Sequence, residues 1–398
     1  MRRALALLSL AYGAAPLMAQ TTWIVDSAGG GQFTDIPPAI AAASPGDRIV
    51  VVGAGPYSAF VLDKGLDIEA VASAFTPRIE VVGVPAGQRA RVAGFRLQIQ
   101  PGPPQVSVDS CLGGVSLVDL QEVGPLSSPT IGPSGLVIVD SPRVLVDQGV
   151  FVGQAGTVFG GVGLYMDNSR AALRDATFKG GVTVSTFASS GNDGEAGAAL
   201  YNGSDAFASG VVVIGGNSSS GTLIGGNGGY GLFTDATSAA VVVGSSHLEA
   251  TPGGGGIFIP GSPGQAALGN VQYTLDCTII GPVTATSIPS RPGLTMPTSL
   301  PVGTNLTTAV QGGPGEFVWL AFDLAHDYVP FPALGGAIVL TPNFILAGGV
   351  LLDGAGSGSL SFSVPNIPSA QNLDVIGQGL ALVAGAWVLT APDQTRTE

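Results

Sequence analysis

The sequence predicts an all-β protein in which short strands stack in repeated coils, followed by a smaller unit of antiparallel strands. Three observations lead there. Of 398 residues 62 are Gly and 29 are Pro, just under a quarter of the chain, and both disfavour helix interiors. Only 10% of the residues are charged while 45% are hydrophobic, so there is enough apolar surface to offset chain entropy. Apolar, β-branched runs alternate with Gly, Asn, Asp, Ser and Pro turns without helices between them, which excludes doubly wound α/β folds and α/β barrels. Collagen is excluded because the glycines do not recur every third residue. Past the N-terminus the longest apolar run, Val375 to Leu389, is too short to span a bilayer and carries Gln378.

The elements follow in order. Residues 1–19 read as an export signal, with Arg2 and Arg3 before the apolar stretch Ala4 to Leu17 and a small residue, Ala19, for cleavage. Its removal takes the net charge from −13 to −15, and Lys64 and Lys179 are the only lysines. Such a chain has no electrostatic footprint for nucleic acid or for an anionic membrane. Thr22 to Val25 is a strand, and one helix follows: Thr34 as its cap, Pro37 and Pro38 in its first turn, and Ile36, Ile40 and Ala43 on one face. Pro45-Gly46-Asp47 stops it before the strand Ile49 to Val52. Between about 135 and 250 the strands repeat: Gly135 to Phe151 is echoed by Gly163 to Phe178, then more weakly by Ala199-Leu-Tyr-Asn202 and Gly231-Leu-Phe-Thr-Asp235. Phe151 and Phe178 stand 27 positions apart, as do Asp140 and Asp167, so each pair is expected to share a position in successive coils. Prolines mark 286–300 as a linker, and alternating strands beyond it, such as Ser359 to Val364, indicate a small antiparallel β-sandwich over 301–398.

The run Phe33-Thr-Asp-Ile36, Ala39-Ile-Ala-Ala-Ala43, Pro45-Gly-Asp47, Ile49-Val-Val-Val52 and Gly55-Pro-Tyr57 resembles the N-terminal entry of secreted, pectin-lyase-like right-handed parallel β-helix proteins. The resemblance implies that residues 20–285 form such a β-helix with the helix capping its open end. The C-terminal strands resemble modules of planctomycete-type secreted bacterial proteins.

Several motifs invite chemistry. Ile49-Val-Val-Val-Gly-Ala-Gly55 imitates a dinucleotide-binding turn, but Pro56 and Gly65 leave no helix to face a pyrophosphate. Gly225 to Gly231 is similar to a calcium-binding glycine repeat, yet Tyr230 stands where the Asp is needed, so calcium lacks a motif and no cofactor is expected. Cys111 and Cys277 lie 166 positions apart and are expected as two buried thiols, with a disulfide as the alternative. Phe317, Trp319 and Trp387 are expected in the sandwich core rather than on a sugar-stacking surface. Polysaccharide cleavage, which the resemblance brings with it, would draw on Asp140, Asp167, Asp175 and Arg174, but the carboxylates are expected to serve the turns of the coils, where Asp hydrogen-bonds its own backbone. The expectation is therefore an exported, extracellular or cell-surface protein that binds a polysaccharide or cell-surface glycan without cleaving it. A lyase or hydrolase and a structural envelope component are the alternatives.

Overall fold

The computed structural model describes residues 20–397 apart from 99–101, 124–131, 157–159, 183–192, 220–225, 256–258, 335, 365 and 367–372. The export segment and most of the turn 189–194 lie outside the described residues. The protein is nearly all β. From Phe60 onward the chain visits three parallel ladders in rotation, and each strand pairs with its counterpart one circuit on. The first ladder runs from Thr22–Val25 and Arg48–Val51 through Gly114–Val118, Val144–Asp147, Arg170–Arg174, Asp205–Ser209 and Ala239–Val243 to Thr286–Ile288. The second includes Gln121–Val123, Val150–Val152, Thr177–Lys179, Val212–Ile214 and His247–Glu249. Two ten-residue strands, Asp67–Thr76 and Arg89–Gln98, run through both, so these ladders join in one 17-stranded sheet. The third ladder is an 8-stranded sheet from Phe60–Leu62 through Leu136–Val139, Leu164–Asp167, Ala198–Tyr201 and Leu232–Thr234 to Ala267–Leu268.

Alternate side chains of every ladder point into one apolar interior. Phe151 and Phe178 pair in register and stack, with ring centroids 5.6 Å apart and planes 10° apart, as their 27-residue spacing predicts. Each such fully buried large side chain contributes about 1.5–3 kcal/mol. The seven-residue helix Ile36–Ala42 lays Ile36, Ala39 and Ile40 over the first circuit, covering apolar side chains that would otherwise meet water. Its cap is Asp35 rather than Thr34: the carboxylate accepts the N–H groups of Ile36 and Ser58 and so ties the helix to the following loop. Asp47 of the Pro-Gly-Asp run accepts from the Thr21 and Ser44 N–H groups at 2.9 Å and the Trp23 indole at 3.1 Å. Burial works against its charge, but those donors hold its carboxyl below the usual range.

Two corners turn on left-handed backbone. Between the third and first ladders stand Ser110, Asp140, Asn168 and Asn202, with φ from 45° to 55°; between the first and second stand Asp119, Gln148, Asp175 and then Gly210 and Gly244. Asp, Asn and Gly tolerate this region best, which explains their recurrence. Beside the first of these corners a serine column lies inside. The Oγ atoms of Ser141, Ser169, Ser204 and Ser238 accept the N–H of Cys111, Ser141, Ser169 and Ser204 in turn, at 3.1–3.2 Å. Cys111 therefore occupies the serine position one circuit earlier, while Cys277 hydrogen-bonds Val242 and Gly244 near the other corner. Both are free thiols, and burial raises their pKa values.

The stretches leading from the second ladder back to the third pack backbone directly on backbone. Gly181 N–H donates to Gly161 O at 2.7 Å, Gly216 N–H to Glu195 O at 2.6 Å and Gly229 N–H to Gly216 O at 3.1 Å. A Cβ on Gly216 would overlap the Gly181 carbonyl, whereas one on Gly354 would meet open space. Gly216→Ala is expected to cost about 1–3 kcal/mol through overpacking, and Gly354→Ala almost nothing; a denaturant titration of each variant checks the contrast.

Residues 286–300, read from sequence as a linker, carry Thr286–Ile288 on the first ladder and Gly293–Thr295 and Ser299–Leu300 in the C-terminal sheets. There, Gly293–Thr295, Asn305–Gln311 and Ser357–Ser363 form a three-stranded antiparallel sheet. Phe317–Asp323 sits between Ile345–Leu351 and Asp374–Val383 in a six-stranded one. Leu306, Val310, Val318, Leu320 and Phe322 belong to the cluster that both sheets share. The run Gly379 to Leu389 is a hairpin: Ala384 and Gly385 both take positive φ, as a tight two-residue turn requires.

This unit docks on the outer face of the first ladder. In register, Leu145, Ala172 and Phe207 form an apolar stripe covered by Tyr328, Ala337 and Val339, and the Tyr328 hydroxyl donates to Asp205 at 2.9 Å. Nearer the N-terminus, Arg48, Asp67 and Arg91 stack in register; Arg396 meets Asp67 at 2.6 Å, and Arg91 meets Asp374 at 3.3 Å. Burial disfavours the Asp67 charge, but Arg91 and Arg396 outweigh it and lower its pKa.

Candidate functional site

The four residues singled out for catalysis do not meet. Asp140 and Asp167 lie along the corner between the third and first ladders, Arg174 and Asp175 along the corner between the first and second. Nor do Asp140 and Asp167 share a position. Register pairs Asp167 with Val139 and therefore Asp140 with Asn168, because the repeat is 28 residues on the third ladder and 27 on the first. The lost residue falls in the corner itself, where Asp140 to Arg143 is answered by only Asn168 to Arg170. The result is an alternation of carboxylate and amide rather than a carboxylate pair. The Asn168 amide donates to Asp140 at 2.6 Å, and the Asn202 amide donates to Asp167 at 2.7 Å. The Asn202 backbone N–H donates to Asp235 at 2.9 Å and, with the N–H groups of Thr237 and Ser238, holds that carboxyl below its ordinary range.

Arg174 is buried in the docking interface, bidentate to Asp147 at 2.7 and 2.9 Å and paired with Asp393 of the C-terminal unit. Asp175 is half-exposed, and burial raises its pKa above the ordinary value despite Arg174 beside it. Other arginines are engaged too: Arg89 donates to the Leu324 carbonyl and Arg91 pairs with Asp67 and Asp374. Conversely, Trp319 and Trp387, expected in the core, are 39% and 42% exposed on the outer face of the six-stranded sheet. Strand alternation explains this, since Val318, Leu320 and Phe322 take the inward positions and leave Phe317 and Trp319 outside.

What the fold does assemble is an aromatic row on the outer face of the third ladder. Tyr165 pairs in register with Ala199, and Ala199 with Phe233; Tyr201 stands two residues along, so it points to the same face. The small Ala199 leaves room for the Tyr201 ring, which lies 5.5 Å from the rings of both Tyr165 and Phe233, and Tyr230 continues the row at 5.9 Å from Phe233. In sequence Tyr165, Tyr201 and Phe233 fall within the echoes Leu164-Tyr165, Leu200-Tyr201 and Leu232-Phe233. The signal was their recurrence after an inward leucine.

Beside the row opens a cleft of about 770 Å3, lined by Tyr201, Tyr230, Phe233, Asp193, Glu195 and Asn227 among others. Its wall is built by side chains that hydrogen-bond successive glycine-rich stretches: Asp193 accepts the Asn227 N–H at 2.7 Å, and the Asn227 side chain accepts the Ser262 N–H at 2.9 Å. Burial, then Asp193, raises the Glu195 pKa. Burial, then Glu195 and Asp235, raises that of the Tyr201 phenol, which stays neutral and able to donate. Flat rings beside carboxylates, amides and phenols offer stacking together with directional hydrogen bonds. Among the described residues no group of three or more His, Cys, Asp or Glu is arranged to hold a metal, and no helix is long and apolar enough to cross a membrane.

No protein-family model matches the chain, and no curated protein does. A solved structure, the superoxide reductase (neelaredoxin) from Ignicoccus hospitalis, aligns with 27% of this chain and 80% of its own at 12% identity and a TM-score of 0.18, a likeness that carries no argument.

Proposed function

We propose that the protein is an exported right-handed parallel β-helix with a docked C-terminal β-sandwich, and that it binds a polysaccharide or cell-surface glycan without cleaving it. Three parallel ladders visited in rotation, with a helix over the first circuit, support the β-helix reading. The export reading rests on residues 1–19 of the sequence. The observation that carries the function is the row Tyr165, Tyr201, Phe233 and Tyr230 along an open cleft. Sugar rings present apolar faces and polar edges, and this surface offers partners for both.

Calorimetric titration of the purified protein with an oligosaccharide panel tests the reading. A member of the panel should bind and be recovered intact, and Tyr201→Ala should weaken it by about tenfold, ~1.4 kcal/mol, at an unchanged melting temperature. Release of unsaturated or new reducing ends by the wild type would instead establish the lyase or hydrolase alternative. An affinity indifferent to Tyr201 would remove the site.

A further inference from the structure

The chemistry of the cleft narrows the glycan class, given the glycan-binding reading above. We propose that this face takes an amino-sugar polymer carrying free ammonium groups and rejects polyuronates. Among the described residues the lining supplies two carboxylates, Asp193 and Glu195, and no lysine, arginine or histidine. Two more carboxylates flank the row: Asp167 accepts from the Tyr165 hydroxyl at 3.3 Å and the Asn202 amide at 2.7 Å, and Asp235 lies two circuits further along the same corner. A polyuronate stacked on these rings would bring its own carboxylates into a cleft whose described lining carries no cation to receive them, within a chain of net charge −13. An ammonium on the edge of a stacked sugar meets acceptors instead.

Glu195 is the group best placed to discriminate. It is largely withdrawn from water beside Asp193, so a cation brought to it gains more than one brought to a solvated surface carboxylate. Burial and Asp193 favour its protonated form in the empty cleft, and an ammonium would favour the ionised form. Binding an amine should therefore release protons near the Glu195 titration, whereas binding a neutral sugar should not.

The probes are a fully deacetylated glucosamine hexamer, its N-acetylated counterpart, a glucose hexamer and an oligogalacturonate, titrated at a pH where the sugar amine is protonated. The deacetylated hexamer should bind roughly tenfold tighter than either neutral hexamer at low ionic strength, with the advantage shrinking as salt rises. Glu195→Gln should remove most of that advantage; Tyr201→Ala should weaken all members. Equal affinity for neutral and amino hexamers overturns the amino-sugar assignment and leaves glycan binding standing, as does tightest binding of the oligogalacturonate. Deacetylated-hexamer binding that survives Tyr201→Ala is diffuse attraction to an acidic surface, and it overturns the assignment too. Binding by none of the four defeats both readings.

Discussion

Replacing Arg174 with alanine is expected to destabilise the protein by about 3–5 kcal/mol, the largest effect of any single substitution proposed for this chain. Its guanidinium holds Asp147 of the first ladder and Asp393 of the C-terminal unit together, and Gln394 adds a further hydrogen bond to Asp147. Asp147 is 2% and Asp393 8% exposed, so removing the arginine strands two carboxylates away from water. Because the cluster bridges the two units, the loss should appear as earlier thermal melting together with faster proteolysis between them. Replacing Arg174 by Met and Asp147 by Leu together should cost less than Arg174→Ala alone, since the double change leaves one fewer unpaired charge. A loss below about 1 kcal/mol for Arg174→Ala would mean the cluster is solvated and the docking face weakly held.

Glu122→Gln should stabilise the protein progressively as pH rises. Glu122 pairs in register with Leu97 on an inward column and is 8% exposed. One oxygen accepts the Val152 N–H at 2.6 Å, and the other has no partner among the described residues. Burial raises its pKa from 4.5 to about 8, which the Val152 hydrogen bond only partly opposes. The folded protein therefore holds this proton where the unfolded chain has released it. The stability Glu122 contributes is complete below about pH 4.5 and falls by about 1.4 kcal/mol per pH unit until pH passes about 8. Melting curves of wild type and Glu122→Gln should thus coincide near pH 4 and separate by pH 8, with the variant higher. Parallel profiles would show that Glu122 reaches water.

Much of the architecture was legible. The helix, the Pro-Gly-Asp stop and the Phe151–Phe178 spacing depend on local backbone preferences and on a repeat that conserves side-chain direction, and both leave marks in sequence. The candidate site was not legible in the same way. Asp140 and Asp167 were equated by a spacing that holds on the first ladder, and a single residue lost in a corner breaks it on the third. Aligning the echoes by Leu164, Leu200 and Leu232 sets Tyr165, Tyr201 and Phe233 in one column, whereas register puts Ala199 opposite both Tyr165 and Phe233 and brings Tyr201 into the row from two residues along. Glu195 reaches the cleft on a stretch whose course depends on glycine backbones packed against the next circuit.

The low charge and high glycine content take on a definite meaning in this fold. Composition and pattern by themselves determined an all-β chain of short strands, turned by Asp, Asn and Gly, with an apolar interior, because those are properties of single residues and their immediate neighbours. Tertiary structure alone decided where the charges gather. It withdrew Arg91, Arg174 and Arg396 into the face between the two units and set Asp167, Asp193, Glu195 and Asp235 around the aromatic row. Pairing across tens or hundreds of residues is a matter of register and docking, and a side chain carries no local signature of the partner it will meet.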